Sequence, residues 1–260
     1  MKNWTLITGA SQGLGAEFAR IAAAEGRNLI LTARSEDKLA ALADELRDKA
    51  EEIIVLPADL SDLAQVETLW QAASRDRHID VLVNNAGLGR HGAFGSGEGW
   101  ARDLSTISVN MTALSYLMKM AIPHMQMQGD GRILNVASAA AFMPGPNMSV
   151  YHATKAYVLS LSEAVAEELR GGAVSVTVLC PGATQTAFFD AADMRGIGLL
   201  KLGRPAQADA VAGAGWQAMM QRRRVVVTGA MNKLFAVSPR LTPRALTTLI
   251  AGKVMSKWGG

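Results

Sequence analysis

A single cysteine, Cys180, occurs in the 260 residues, so no disulfide can form within the chain, and a reducing, cytoplasmic setting is the expectation. No uninterrupted apolar run approaches the roughly 20 residues of a membrane span, and Met1-Lys2-Asn3-Trp4-Thr5 lacks the layout of a secretory leader. A soluble chain is expected, in which the sequons at Asn110 and Asn147 are chance matches. The four histidines, His78, His91, His124 and His152, are scattered without ligand spacing, which argues against a metal site.

Acidic residues are missing altogether from Ala210 to Gly260, where Arg222, Arg223, Arg224, Lys233, Arg240, Arg244, Lys253 and Lys257 place +8 of formal charge. The whole chain carries only +3, which leaves about −5 on the first 209 residues. The run Arg222-Arg223-Arg224 has no interleaved aromatics and no reading motif, so nucleic acid is not an expected partner. Internal repeats and linkers are also missing.

What is present is a chain that is 49% hydrophobic, ample for a buried core, with regular alternation of short apolar runs and longer amphipathic ones. Strands are predicted at Thr5–Thr8, Asn28–Thr32, Ile53–Leu56, Val81–Val83, Arg132–Val136, Val174–Leu179 and Val225–Thr228. Helices are predicted between them, from Gly13, Glu36, Asp62, Trp100, Val150 and Pro205 onward. Strands that are apolar throughout and alternate with helices imply an α/β fold, a doubly wound, mostly parallel seven-stranded sheet covered on both faces. One Rossmann-type domain over 1–230 is expected, followed by a basic, apolar extension over 231–260. The segment from Ala183 to Gly203 has no strong period and reads as a loop or lid.

Two stretches carry chemistry. Thr8-Gly9-Ala10-Ser11-Gln12-Gly13-Leu14-Gly15 lies between the first strand and the first helix. Glycines there let backbone approach a pyrophosphate, and the helix start offers free amides and a positive dipole end. The second stretch is Tyr151-His152-Ala153-Thr154-Lys155, with Ser138 thirteen residues upstream of Tyr151. On a helix, Tyr151 and Lys155 share one face, about 5–6 Å apart at Cβ. A cation that close lowers the pKa of a phenol toward working pH.

The spacing Gly-x-x-x-Gly-x-Gly, taken with Asn84-Asn85-Ala86-Gly87, Ser138, Tyr151, Lys155 and Pro181-Gly182, resembles the short-chain dehydrogenase/reductase family over about Thr5 to Thr186. The resemblance implies an oxidoreductase that exchanges hydride with a nicotinamide dinucleotide. It implies that Tyr151 is the general acid/base, that Ser138 hydrogen-bonds the substrate oxygen, and that Lys155 holds the nicotinamide ribose. Asn110 then holds a water chain beside Lys155, and Asp59 lies near the adenine. Gly9, Ser11, Gln12, Gly13, Leu14, Gly15, Asn85, Ala86, Gly87, Pro181, Gly182 and Thr186 complete the implied cofactor contacts. A homodimer or homotetramer through the helices Trp100–Met127 and Val150–Leu169 is implied as well.

The second strand runs into Thr32-Ala33-Arg34-Ser35 with no carboxylate where a ribose 2′-hydroxyl would need one, and Arg34 offers a bidentate grip on a 2′-phosphate. NADP(H) is therefore the expected cofactor. A substrate pocket lined by Ala139 to Met143, Gly87 to Phe94 and Ala187 to Phe189 is expected to take an apolar carbonyl compound or alcohol, such as an acyl-chain ketone, a steroid-like ketone or an aromatic aldehyde. The alternative is a non-catalytic NADP-binding sensor or scaffold of the same fold. The extension over 231–260 resembles that of ketoacyl- and hydroxysteroid-type members, and is expected to pack on its own domain or on a partner subunit, with weak membrane-surface contact as the competing reading.

Overall fold

The structure is a computed structural model, and it describes residues 3–193 and 204–256. Seven strands form one sheet: β1 Asn3–Thr8, β2 Asn28–Thr32, β3 Ile53–Val55, β4 His78–Asn84, β5 Gly131–Val136, β6 Val174–Cys180 and β7 Val225–Val227. The helices are α1 Gly13–Ala24, α2 Glu36–Leu46, α3 Leu63–Ser74, α4 Trp100–Ile107, α5 Leu114–Gln128, α6 Ser149–Glu168, the short α7 Phe188–Ala191, α8 Ala208–Met220, α9 Ala230–Leu241 and α10 Arg244–Met255. The strand order is β3-β2-β1-β4-β5-β6-β7, and every pairing is parallel. This is the doubly wound, Rossmann-like sheet that the alternation implies.

Successive strand residues point to opposite faces, so both must be apolar where both faces are covered. Leu6, Ile30, Leu82 and Ile133 enter one core with α3, α5 and α6, whereas Ile7, Leu31, Val83 and Leu134 enter the other with α1, α2 and α8. The order reverses between β1 and β4, and the carboxyl ends of the strands part there to leave a crevice. Toward the amino ends of the central strands the buried Asp80 is paired with Arg27, whose guanidinium also donates to Thr5 Oγ1 at 2.7 Å.

One element differs from the expected outline. The long helix from Trp100 is interrupted by a π-helical turn over Ser108–Ala113, which places Asn110 at the point of irregularity. The extension packs on its own domain. It forms α9 and α10, which return to the crevice end of the sheet and bury Ala236, Thr247, Ala251 and Met255.

Candidate active site

Glycine geometry shapes the start of the crevice. Gly9 and Gly13 have φ of +65° and +58°, values that side-chain-bearing residues rarely adopt. Gly15 is needed for another reason: a Cβ there would stand 2.1 Å from the carbonyl oxygen of Gly9. Behind the loop, Thr8 Oγ1 accepts from the backbone amides of Asn85 and Ala86, both at 3.0 Å, while Asn85 Nδ2 donates to Thr8 O at 2.9 Å. The loop after β1 is thereby tied to the loop after β4. No side chain caps the N-terminus of α1, so its amides face the crevice unclaimed by Gln12. A cradle that a methyl group would fill, opening on uncapped amides, fits the pyrophosphate of a dinucleotide.

Farther along, Arg34, Ser35 and Lys38 line the crevice with Asp59. Asp59 accepts from the backbone amide and hydroxyl of Ser61 at 2.9 and 2.8 Å; these bonds, with the charge of Arg34, hold its carboxyl below the usual carboxylate range. Lys38 Nζ lies 3.4 Å from Gln12 Oε1, which draws a second cation toward the glycine loop.

At the other end, Ser138 closes β5 and caps a 3-10 turn over Ala139–Phe142, its hydroxyl accepting from the Ala140 amide at 3.1 Å. Tyr151 and Lys155 come from the first turns of α6, with the ammonium 5.8 Å from the centre of the phenol ring. Lys155 is buried and donates to the carbonyl oxygen of Val136 at 2.8 Å. Burial pushes the phenol up to about 12, against a smaller lowering by the Ser138 hydroxyl, and pushes the ammonium down to about 8. The phenol is thus raised by burial, where the sequence led to the expectation that Lys155 lowers it. Burial thereby favours the protonated form of the Tyr151 phenol.

Asn110 and Gly15 stand behind the wall of the crevice, whereas every other expected catalytic or cofactor residue lines it: Gly9, Ser11, Gln12, Gly13, Leu14, Arg34, Asp59, Asn85, Ala86, Gly87, Ser138, Tyr151, Lys155, Pro181, Gly182 and Thr186. The amide of Asn110 is fully engaged, accepting from the Leu88 amide at 2.9 Å and donating to Leu88 O and Thr154 Oγ1 at 3.0 and 2.9 Å. It fixes the loop after β4 against α6. Gly87 lies between Asn110 and Lys155, because a Cβ there would stand 3.5 Å from Asn110 Oδ1 and 3.3 Å from Lys155 Nζ.

Of the expected substrate wall, Ala139, Ala140, Met143, Ala187, Phe188 and Phe189 line the crevice. Ala141 and Phe142 do not, since they pack in and against the main core, and of Gly87 to Phe94 only Gly87 and Leu88 line the crevice. Phe188 lies over Tyr151 with ring centres 5.2 Å apart. Part of the segment read as a lid, 194–203, lies outside the described residues. The wall that the sequence reading missed comes from the extension: Asn232, Phe235, Ile250, Val254 and Met255 all line the same crevice. His91 Nε2 donates to the carbonyl oxygen of Met255 at 2.8 Å, which ties the end of α10 to the loop after β4. Asn232 packs directly on Gly182. The only sequence signal for this closure is the apolar character of the extension, which a docked helix shares with a free amphipathic one.

The whole crevice holds about 570 Å³ and runs from the glycine loop to α10. Among the described residues no cluster of His, Cys, Asp or Glu is arranged to hold a metal ion. Cys180 is buried, and burial raises its thiol to about 12, so it is a packed side chain and not a nucleophile.

A dinucleotide cradle at one end, a Ser-Tyr-Lys cluster at the other and a wholly parallel sheet between them define a class of protein. A family model described as short chain dehydrogenase matches residues 3–195. The ketoacyl reductase HetN of a Nostoc species is 35% identical over 178 residues, which is 68% of this chain. The match spans 62% of that protein, so this chain aligns with less than two thirds of its relative's length. A short-chain dehydrogenase from Sphingobium yanoikuyae in complex with NADPH superposes with a TM-score of 0.81 at 31% identity, covering 93% of this chain and 94% of that one. A short-chain dehydrogenase/reductase from Burkholderia phymatum in complex with NAD gives 0.81 at 29% identity, covering 92% of each chain. The chain belongs to the short-chain dehydrogenase family, whose members are oxidoreductases.

Proposed function

We propose that this protein is an NADP(H)-dependent carbonyl reductase for an apolar ketone or aldehyde, with Tyr151 as proton donor. The observation that carries the reading is the convergence of Ser138, Tyr151 and Lys155 in one crevice with the glycine loop and Arg34. Gly9, Gly13 and the amides of α1 would hold the pyrophosphate, and Arg34 with Lys38 would hold a 2′-phosphate. When bound, NADPH supplies the hydride. The substrate oxygen lies within reach of the Ser138 hydroxyl, which donates a hydrogen bond to it, and of the Tyr151 phenol, which gives up its proton as negative charge develops there.

A phenol held neutral is suited to donating a proton to that oxygen. The buried Lys155 ammonium stabilises the phenolate left after transfer, and it is closer to deprotonation than an exposed lysine. Met143, Met148, Phe188, Phe235, Ile250 and Val254 make the far wall apolar, which supports a bulky apolar substrate. The relative in complex with NAD argues that the family fold accepts either dinucleotide; Arg34 is what supports NADP(H) here.

A homodimer or homotetramer is supported by the exposed apolar side chains Trp100 and Leu104 on α4 and Tyr157 on α6, and a cytoplasmic site by the single, buried cysteine. The test is a screen of apolar ketones and aldehydes for loss of NADPH absorbance with the purified protein. Turnover of at least one class supports the reading, whereas tight NADPH binding with no turnover across the screen makes the protein a cofactor sensor.

A further inference from the structure

The outer faces of α9 and α10 carry a density of exposed apolar side chains found nowhere else among the described residues. Met231, Leu234, Val237 and Leu241 recur at helical spacing along one side of α9, with Leu234 61% and Leu241 84% exposed. Leu246, Leu249 and Ile250 do the same on α10, opposite the buried Thr247, Ala251 and Met255. Exposed apolar side chains concentrated on two helices in this way mark an interaction surface.

Its charge says what it meets. From Ala230 to Lys257 the chain has Lys233, Arg240, Arg244, Lys253 and Lys257 and no acidic residue. No ion pair among the described residues involves Lys233, Arg244 or Lys253. Two of the three arginines of the other basic run are engaged, Arg222 with Asp130 and Arg224 with Glu167. A second copy of the chain would bring an identical set of cations against this face, since a two-fold contact pairs a patch with itself. An anionic bilayer surface supplies both what the leucines and what the lysines require, because long basic side chains bury their stems and keep their ammonium groups at the headgroups. No described helix is long and apolar enough to cross a membrane, so the contact is one of surface. The face is also continuous with the crevice: Ile250 is 51% exposed and lines the pocket on its inner side.

We propose that α9 and α10 form a docking surface for an anionic lipid bilayer, placing the α10 wall of the crevice at the headgroup level. The test is co-sedimentation of the full chain with vesicles of phosphatidylglycerol and phosphatidylcholine in equal amounts, and with phosphatidylcholine alone, at low and high salt. The expected result is binding to the anionic vesicles only, weakened by salt. The pair Lys233→Glu and Lys253→Glu lowers partitioning by at least about tenfold, since each basic residue near such a surface contributes about 1 kcal/mol. The pair Leu234→Ser and Leu241→Ser abolishes it. Circular dichroism and thermal melts matching wild type establish that both variants fold, and the lysine pair alters only exposed side chains. Failure to bind anionic vesicles, or equal binding to phosphatidylcholine alone, overturns the proposal. So does a fall in solution mass of the leucine variant without vesicle binding by wild type, which makes the face an interface between copies. None of these readouts needs turnover, so they stand apart from the test of the carbonyl reductase reading.

Discussion

The Lys155 ammonium stands 5.8 Å from the centre of the Tyr151 ring, and burial drives the proton affinities of the two groups in opposite directions. The phenol is raised to about 12 and the ammonium lowered to about 8, so the first proton lost from the pair on raising the pH comes from Lys155.

That order predicts the pH profile. Below about pH 8 the pair is a neutral phenol beside a cation, the state competent to donate a proton and stabilise the resulting phenolate. Above it the cation is lost while the phenol is still protonated. The rate of ketone reduction is expected to be level through neutrality and to fall as pH rises through about 8. A rate that climbs steadily from pH 8 to 10 would show that an ionised Tyr151 is the working form.

Arg34 gives a specificity prediction. Charge-assisted hydrogen bonds contribute about 1.5–3 kcal/mol each, so Arg34→Asp should lower kcat/KM for NADPH by on the order of a hundredfold. The same change places a carboxylate where a ribose 2′-hydroxyl can use it, and kcat/KM for NADH should hold or rise. Equal losses with both dinucleotides would assign Arg34 to the loop and not to the phosphate.

Gly182 and Asn232 link the cofactor end to the extension. A Cβ at Gly182 would stand 2.1 Å from Asn232 Nδ2, which itself donates to Thr228 O at 2.7 Å. Gly182→Ala is therefore expected to displace α9, raising KM for an apolar ketone and exposing the extension to limited proteolysis. Adding Asn232→Ala removes the clash and should restore both readouts toward wild type, a coupling that a double-mutant cycle measures directly.

The fold was legible because each strand is apolar on both faces and each is followed by a helix of different period. Leu6 with Ile7, and Leu82 with Val83, report two covered faces without any tertiary information. The site's polar groups were legible because their spacing is local, four residues from Tyr151 to Lys155 and six from Gly9 to Gly15. Three features were not. The π-helical turn at Asn110 leaves no mark in an apolar pattern that reads through it. The pocket wall that includes Met255 depends on packing with residues about 100 positions away, Met148 and Tyr151. The charge state of the Tyr151–Lys155 pair depends on burial, and helical spacing supplies only the Coulomb part of that balance.

The central claim is that Tyr151 delivers the proton. Tyr151→Phe keeps the ring that packs against Phe188 and removes only the hydroxyl. Turnover of an apolar ketone with NADPH is predicted to fall by about 10²–10⁴-fold, the range for loss of a positioned acid, while NADPH binding measured by fluorescence titration stays near wild type. A Tyr151→Phe enzyme that binds NADPH normally and still reduces the ketone at the wild-type rate would contradict it.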